Sequence, residues 1–161
     1  MSFQRRGGDV WFVNFNNLAN THSQCVMDTP KEGACVTAPG EALSLLSHSP
    51  VAWPLKIKNY QATEKDDFQV QAAWSVDKNS LVIYVYNRTN EIKSAGFELS
   101  ALKSTFRTAE TTVLSGKEDA MITLKNPDSV KKSMKAQNGL TISSSYVIES
   151  PSWSFTQVIL K

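Results

Sequence analysis

The segment LVIYVYNR, residues 81–88, limits what this chain can fold into more than any other stretch. Successive side chains of a strand point to opposite faces. Leu81, Ile83 and Val85 therefore point one way, and Val82, Tyr84 and Tyr86 the other. A half-buried strand keeps one polar face, and this one has none. A sheet built on it must be covered on both sides or must present an aromatic patch. The preceding FQVQAAWSV alternates: Phe68, Val70, Ala72, Trp74 and Val76 share one face, and Gln69, Gln71, Ala73 and Ser75 share the other. The residues DKNS between the two runs are turn formers. A turn over Asp77–Ser80 pairs Val76 with Leu81, Trp74 with Ile83 and Ala72 with Val85 on the core face. On the second face it sets Ser75 beside Val82, Ala73 beside Tyr84, Gln71 beside Tyr86 and Gln69 beside Arg88.

The same pattern runs from Val51 to the end. Strands are expected near 55–60, 68–76, 81–88, 94–99, 108–114, 120–124, 139–148 and 153–160, with turn residues between them. Short strands at this spacing predict a mostly β fold, an antiparallel β-sandwich of jelly-roll type. One short N-terminal helix is expected over about 39–48. Thr37 or Ala38 precedes Pro39, which suits the first helical turn. Glu41 suits the positive end of the dipole, and Ala42, Leu45 and Leu46 form the apolar stripe. His48 suits the C-terminal end, and Pro50 and Pro54 end the helix. The expected division is 1–50, carrying the helix, and 51–161, the β domain.

The 161 residues are 41% hydrophobic and 20% charged, with a net charge of +2. That suits a chain with a sizeable core and argues against a nucleic-acid partner. Lys131, Lys132 and Lys135, near Lys125, read as a solvated strand or loop. No apolar run reaches the length of a membrane span, and MSFQRRGGDVWFVNF reads as neither a signal peptide nor a membrane helix. If the segment around DTPKEGA is a hairpin, Cys25 and Cys35 can face each other and bridge, but free or optionally paired thiols are the favoured reading and two thiols alone fix no compartment. With His22 and His48 their spacing matches no common zinc site, so no metal site is assigned. No nucleophile elbow, zinc-protease motif, phosphate loop or EF-hand loop is present. Asp66–Asp67 and Glu118–Asp119 are adjacent pairs in turn-like stretches, where neighbours diverge, so no catalytic residue is assigned. Asn87-Arg88-Thr89 matches the N-glycosylation acceptor pattern.

Three stretches carry a resemblance. NNLANTHSQCVMDTPKEGACVTAPGEALSLL resembles the run from the end of the barrel into its last helix in glycoside hydrolase family 51, the α-L-arabinofuranosidases and related endoglucanases. VLSGKEDAMITLKNPDSVK resembles a segment of that family's C-terminal β domain, with NPDSV kept at Asn126–Val130 and Ile122 standing where an asparagine is expected. SPSWSFTQVIL resembles the closing strand. The resemblance implies a barrel remnant followed by a β-sandwich, with the family's two catalytic carboxylates upstream of the matching region. It also implies an N-terminal strand from elsewhere in the enzyme, a place that residues 1–15 are candidates to fill. By the same analogy a structural calcium has oxygen donors available in Asp66, Asp67, Asp77, Glu118 and Asp119, although no cofactor is required.

In that setting the second face of the hairpin has the makeup of a sugar platform: aromatic rings for C–H faces, amides and arginine for hydroxyls. The expected carbohydrate contacts are Tyr84, Tyr86, Gln71 and Arg88, with Trp53, set among prolines in SPVAWPL, as a second platform. The expected partner is a plant cell-wall polysaccharide, β-glucan, xyloglucan or arabinoxylan, met outside the cell. The alternative is a structural accessory domain whose tyrosine face, or an open sheet edge, docks on a barrel or on a second copy of the chain. Trp11, Trp74, Trp153 and Phe155 are assigned to packing.

Overall fold

A computed structural model of the chain describes residues 19–20, 25–58, 60 and 66–161. Trp11, His22 and the strand role expected of residues 1–15 lie outside these. The described chain is mostly β, with one α-helix and antiparallel pairing in its larger sheets. The strands are β1 (Ala19–Asn20), β2 (Met27–Asp28), β3 (Cys35–Val36), β4 (Val51–Leu55), β5 (Phe68–Ser75), β6 (Leu81–Asn87), β7 (Lys93–Glu98), β8 (Ala109–Ser115), β9 (Lys131–Gln137), β10 (Ser145–Ser150) and β11 (Ser154–Leu160). The helix α1 spans Ala38–Ser47.

The main sheet has six strands in the order β4-β5-β6-β11-β8-β9. β6 and β11 lie at its centre. Val70, Leu81, Ile83, Val85, Val158 and Leu160 fill the core on one face, and Ala95 and Ile148 close it from the two-stranded sheet β7-β10. Phe106 and Ile142, joined as a bridge, seal the rim. Trp74 packs into this core 6.0 Å from Phe106, centroid to centroid, as its parity requires.

The β5–β6 register differs from the expected one by two residues. Trp74 pairs with Leu81, Ala72 with Ile83, Gln71 with Tyr84 and Gln69 with Tyr86. The turn is Val76–Asn79 rather than Asp77–Ser80, because Ser75 N donates to Ser80 O at 2.9 Å. Asp77 fixes it, accepting from Ser75 Oγ at 2.5 Å and Asn79 N at 3.1 Å, and Lys78 takes φ 58°. Val76 is left 74% exposed instead of pairing in the core. A slip of two keeps every side chain on its own face, so the assignment of faces survives.

Three expected strands are corrected, and one further strand is found. Residues 120–124 form no strand: Asn126 N donates to Thr123 O at 3.0 Å and Asn126-Pro127 turns the chain. Lys131–Gln137, with no apolar alternation, is the edge strand β9, held among the described residues only by β8. Its three lysines are a common guard for an open edge. The strand expected over 55–60 lies at Val51–Leu55, an edge position that tolerates Pro54, and that expected over 139–148 starts at Ser145.

The helix starts where its cap dictates. Thr37 Oγ1 accepts from Gly40 N at 3.2 Å and also donates to Cys25 O. His48 closes the other end, its Nδ1 2.8 Å from Ser44 O. In the β2–β3 hairpin Asp28 is opposite Cys35, so Cys25 does not face Cys35 and the two are not bridged. The hairpin lies against the first turn of α1: a Cβ at Gly40 would stand 2.2 Å from Val26 O and 2.8 Å from Val36 Cγ1.

Gly40→Ala is therefore expected to cost about 1–3 kcal/mol through overpacking. Gly96→Ala, with nothing within 4 Å of the added carbon, is expected to gain about 0.4–1 kcal/mol from the unfolded state. Urea unfolding of both variants checks the contrast.

Candidate functional site

The second face of the main sheet carries Val82, Tyr84 and Tyr86 from β6, beside Ile159, Gln157 and Phe155 from β11. Helix α1 and the residues that follow it pack on this face. Gln157 Nε2 donates to Leu45 O at 3.1 Å, and Lys132 Nζ of β9 pairs with Glu41 at 2.9 Å. Tyr84 is 0% exposed, its ring stacked on Phe155 at 5.8 Å. Its hydroxyl lies beside Ser49 and Gln157 without a well-aligned hydrogen bond. Burial pushes its pKa up, and those two neighbours offset this only in part. Gln69, Gln71 and Gln157 are buried with it.

The face expected to be an open platform is thus an interior. Tyr84 and Gln71 present no surface to a sugar or a second copy. The physical reason is intramolecular: the chain itself covers this face, with Ser49 beside the Tyr84 hydroxyl and Leu45 O of α1 on Gln157, and tyrosine buries a ring well in such a layer. Tyr86 is half-buried at the margin, close to Arg88. Arg88 is exposed and paired with Asp67 at 2.7 Å.

Trp53 lies in β4 at the far edge and is 54% exposed. Its Nε1 donates to Val76 O at 3.3 Å, and Lys78 Nζ lies 5.7 Å from the ring centroid. Trp53 is opposite Trp74, itself opposite Leu81, so Arg88 is seven residues further along β6. At the rise of a strand that is about 23 Å. The structure therefore brings Tyr86 and Arg88 together and leaves Trp53 apart.

Several polar residues near the Arg88 end are structural. Asn87 is 0% exposed. Its Nδ2 donates to Glu91 O at 2.9 Å, Ser150 O at 3.0 Å and Pro151 O at 2.7 Å. The acceptor pattern at Asn87 is thus a buried clamp, closed to a glycan in the folded chain. Among the expected calcium donors, Asp67 is committed to Arg88 and Asp77 to its turn. Among the described residues, no three His, Cys, Asp or Glu side chains are grouped to hold a metal.

A cleft of about 720 Å³ opens at this same end, between the β8–β9 connection and Pro151-Ser152. Sequence reading passed over it. Gly116 and Asn126-Pro127 signalled turns, but nothing local says that the β10–β11 connection lies alongside.

No protein-family profile matches the chain, and no curated protein matches it in sequence. Solved structures match in fold. An arabinose-bound GH51 α-L-arabinofuranosidase is similar at TM-score 0.73 and 14% identity, over 85% of this chain and 21% of that one. The arabinose complex of the Thermotoga maritima α-L-arabinofuranosidase is similar at 0.70 and 17%, over 89% and 32%. The Xanthomonas axonopodis pv. citri GH51 arabinofuranosidase is similar at 0.70 and 16%, over 99% and 33%. The chain thus spans a fifth to a third of those enzymes, and they belong to the family that its sequence resembles.

Truncating Tyr84 separates the two meanings of the tyrosine face. Tyr84→Ala is expected to cost about 3–5 kcal/mol, as for a buried aromatic. Tyr84→Phe is expected to cost under about 1 kcal/mol, since the hydroxyl it loses is poorly bonded. Equilibrium unfolding measures both.

Proposed function

We propose that this chain is a non-catalytic accessory β domain of a glycoside hydrolase, and that it holds plant cell-wall polysaccharide for that enzyme. The observation that carries this reading is the breadth of the fold likeness: 85–99% of the chain matches arabinofuranosidases of which it spans only 21–33%. The two carboxylates that hydrolysis needs are assigned to the part of such an enzyme outside this match. The β-sandwich description belongs to the same reading: the six-stranded sheet packs across a shared core on the two-stranded one.

Within this reading the polymer contact is Trp53. Its indole is exposed on an edge strand and held by its bond to Val76 O and by the nearby Lys78. A flat ring held in this way suits the C–H face of a sugar. Tyr86 and Arg88 form a second, smaller contact; Tyr84 and Gln71 support the sheet from inside. The alternative, a purely structural accessory domain, is favoured by one observation: Tyr84, Gln69, Gln71 and Gln157 of the second face are buried inside the chain, with Gln157 bonded to Leu45 O of α1.

Affinity electrophoresis in gels containing arabinan, arabinoxylan, xyloglucan or mixed-linkage β-glucan tests the choice. At least one polymer is expected to retard the chain, and Trp53→Ala to abolish that retardation while leaving the unfolding midpoint unchanged. Migration unaffected by every polymer leaves the structural domain. Release of reducing sugar overturns both.

A further inference from the structure

Beyond the polymer contact, we propose that the cleft between the β8–β9 connection and Pro151-Ser152 is a binding site for a short neutral oligosaccharide or a polysaccharide chain end. The accessory-domain reading supplies only the choice of plant-wall sugars; the chemistry of the cleft supplies the rest.

The cleft is built by the backbone. Gly116 follows β8 directly, and a Cβ there would come within 2.9 Å of Ala120 Cβ and 3.1 Å of Ser129 O, so the connection turns back on itself at this point. Ser129 Oγ donates to Met121 O at 2.5 Å and Ala120 N to Lys117 O at 3.1 Å, which hold the loop as one wall. Gly116 N donates to Trp153 O at 3.2 Å, and Asn87 Nδ2 donates to Pro151 O at 2.7 Å, which place the opposite wall. The volume, about 720 Å³, lies in the range of small-molecule sites, about 300–1,000 Å³.

The lining selects the ligand class. Two lysines, Lys117 and Lys131, and two aspartates, Asp119 and Asp128, face the cleft together. Their charges cancel, so an anion meets two carboxylates and a cation meets two ammonium groups. A neutral ligand rich in hydroxyls meets neither penalty and can bond to both kinds of group, and bonds to charged partners are the stronger ones. Four serine and threonine residues and one asparagine supply further donors and acceptors. Met121 and Pro151 give the apolar surface that a sugar's C–H face needs. Among the described residues no aromatic ring lines the cleft. Long chains are held on rings; a walled cleft with hydroxyl partners suits a short ligand or an end.

Amide-resolved NMR titration of the 161-residue chain with arabinotriose, xylotriose and cellotriose, and with trigalacturonate as a charged control, tests this. At least one neutral trisaccharide is expected to shift amides of residues 115–131 and 151–152, and the charged control to bind at least tenfold more weakly. The double variant Asp119→Ala/Lys131→Ala, exposed at both positions, is expected to raise Kd about tenfold or more while keeping the spectrum of a folded chain. Shifts confined to Trp53 and Lys78, no shift with any trisaccharide, or preference for trigalacturonate overturns the cleft site. Retardation in polymer gels that depends on Trp53 stands or falls separately.

Discussion

Covering β6 on both sides is the constraint from which the rest of this structure follows. Leu81, Ile83 and Val85 belong to the core beneath β7-β10, while Val82 and Tyr84 are buried on the opposite face. Helix α1 lies on that second side, with Leu45 O on Gln157. Thr37 ties the start of α1 to the chain at Cys25 and Val26, and Gly40 lets the first turn approach Val26 O. Gln157 and Lys132 then hold the helix from the sheet side. The exposed ion pair adds little by itself, and the stacked rings of Tyr84 and Phe155 add buried apolar area to the sheet face.

The sequence was most readable where one residue decides a face. Parity placed Trp74 in the core and Tyr84 opposite it, and both placements survived an error in register because the slip was two residues. The helix was readable from Thr37, Pro39 and Glu41. β9 was not, because an edge strand of lysines and small polar residues has no apolar period; only its pairing with β8 makes it a strand. What covers Tyr84 was not readable either. A tyrosine face suits a sugar, a partner and a helix equally, and choosing among them needs the fold. The cleft was hidden for the same reason, since its walls come from residues 115–131 and 151–152.

The surface chemistry is distributed accordingly. The rigid strands hold the connections, and the connections carry the surface chemistry, as is common where a scaffold positions loops. One end of the sheet gathers Arg88, the Asn87 clamp and the cleft. The exposed ring of Trp53 stands on β4, and the turn that supports it is fixed by Asp77. With Tyr84 and Gln71 buried, the polysaccharide contacts proposed above fall to these two regions.

The central claim is that Tyr84 is an interior residue. Spectrophotometric titration of the tyrosines, taken as the difference between the native chain and Tyr84→Phe, tests it most directly. Burial raises the pKa of Tyr84 in the folded state above the ordinary value of 10.0. The neutral form is therefore favoured by folding: this contribution is fully present below pH 10.0 and is lost as pH rises through the folded pKa. The expected result is no Tyr84 ionisation near pH 10.0 in the folded chain, with ionisation at higher pH accompanied by loss of structure. A Tyr84 that titrates near pH 10.0 while the fold stays intact contradicts the account.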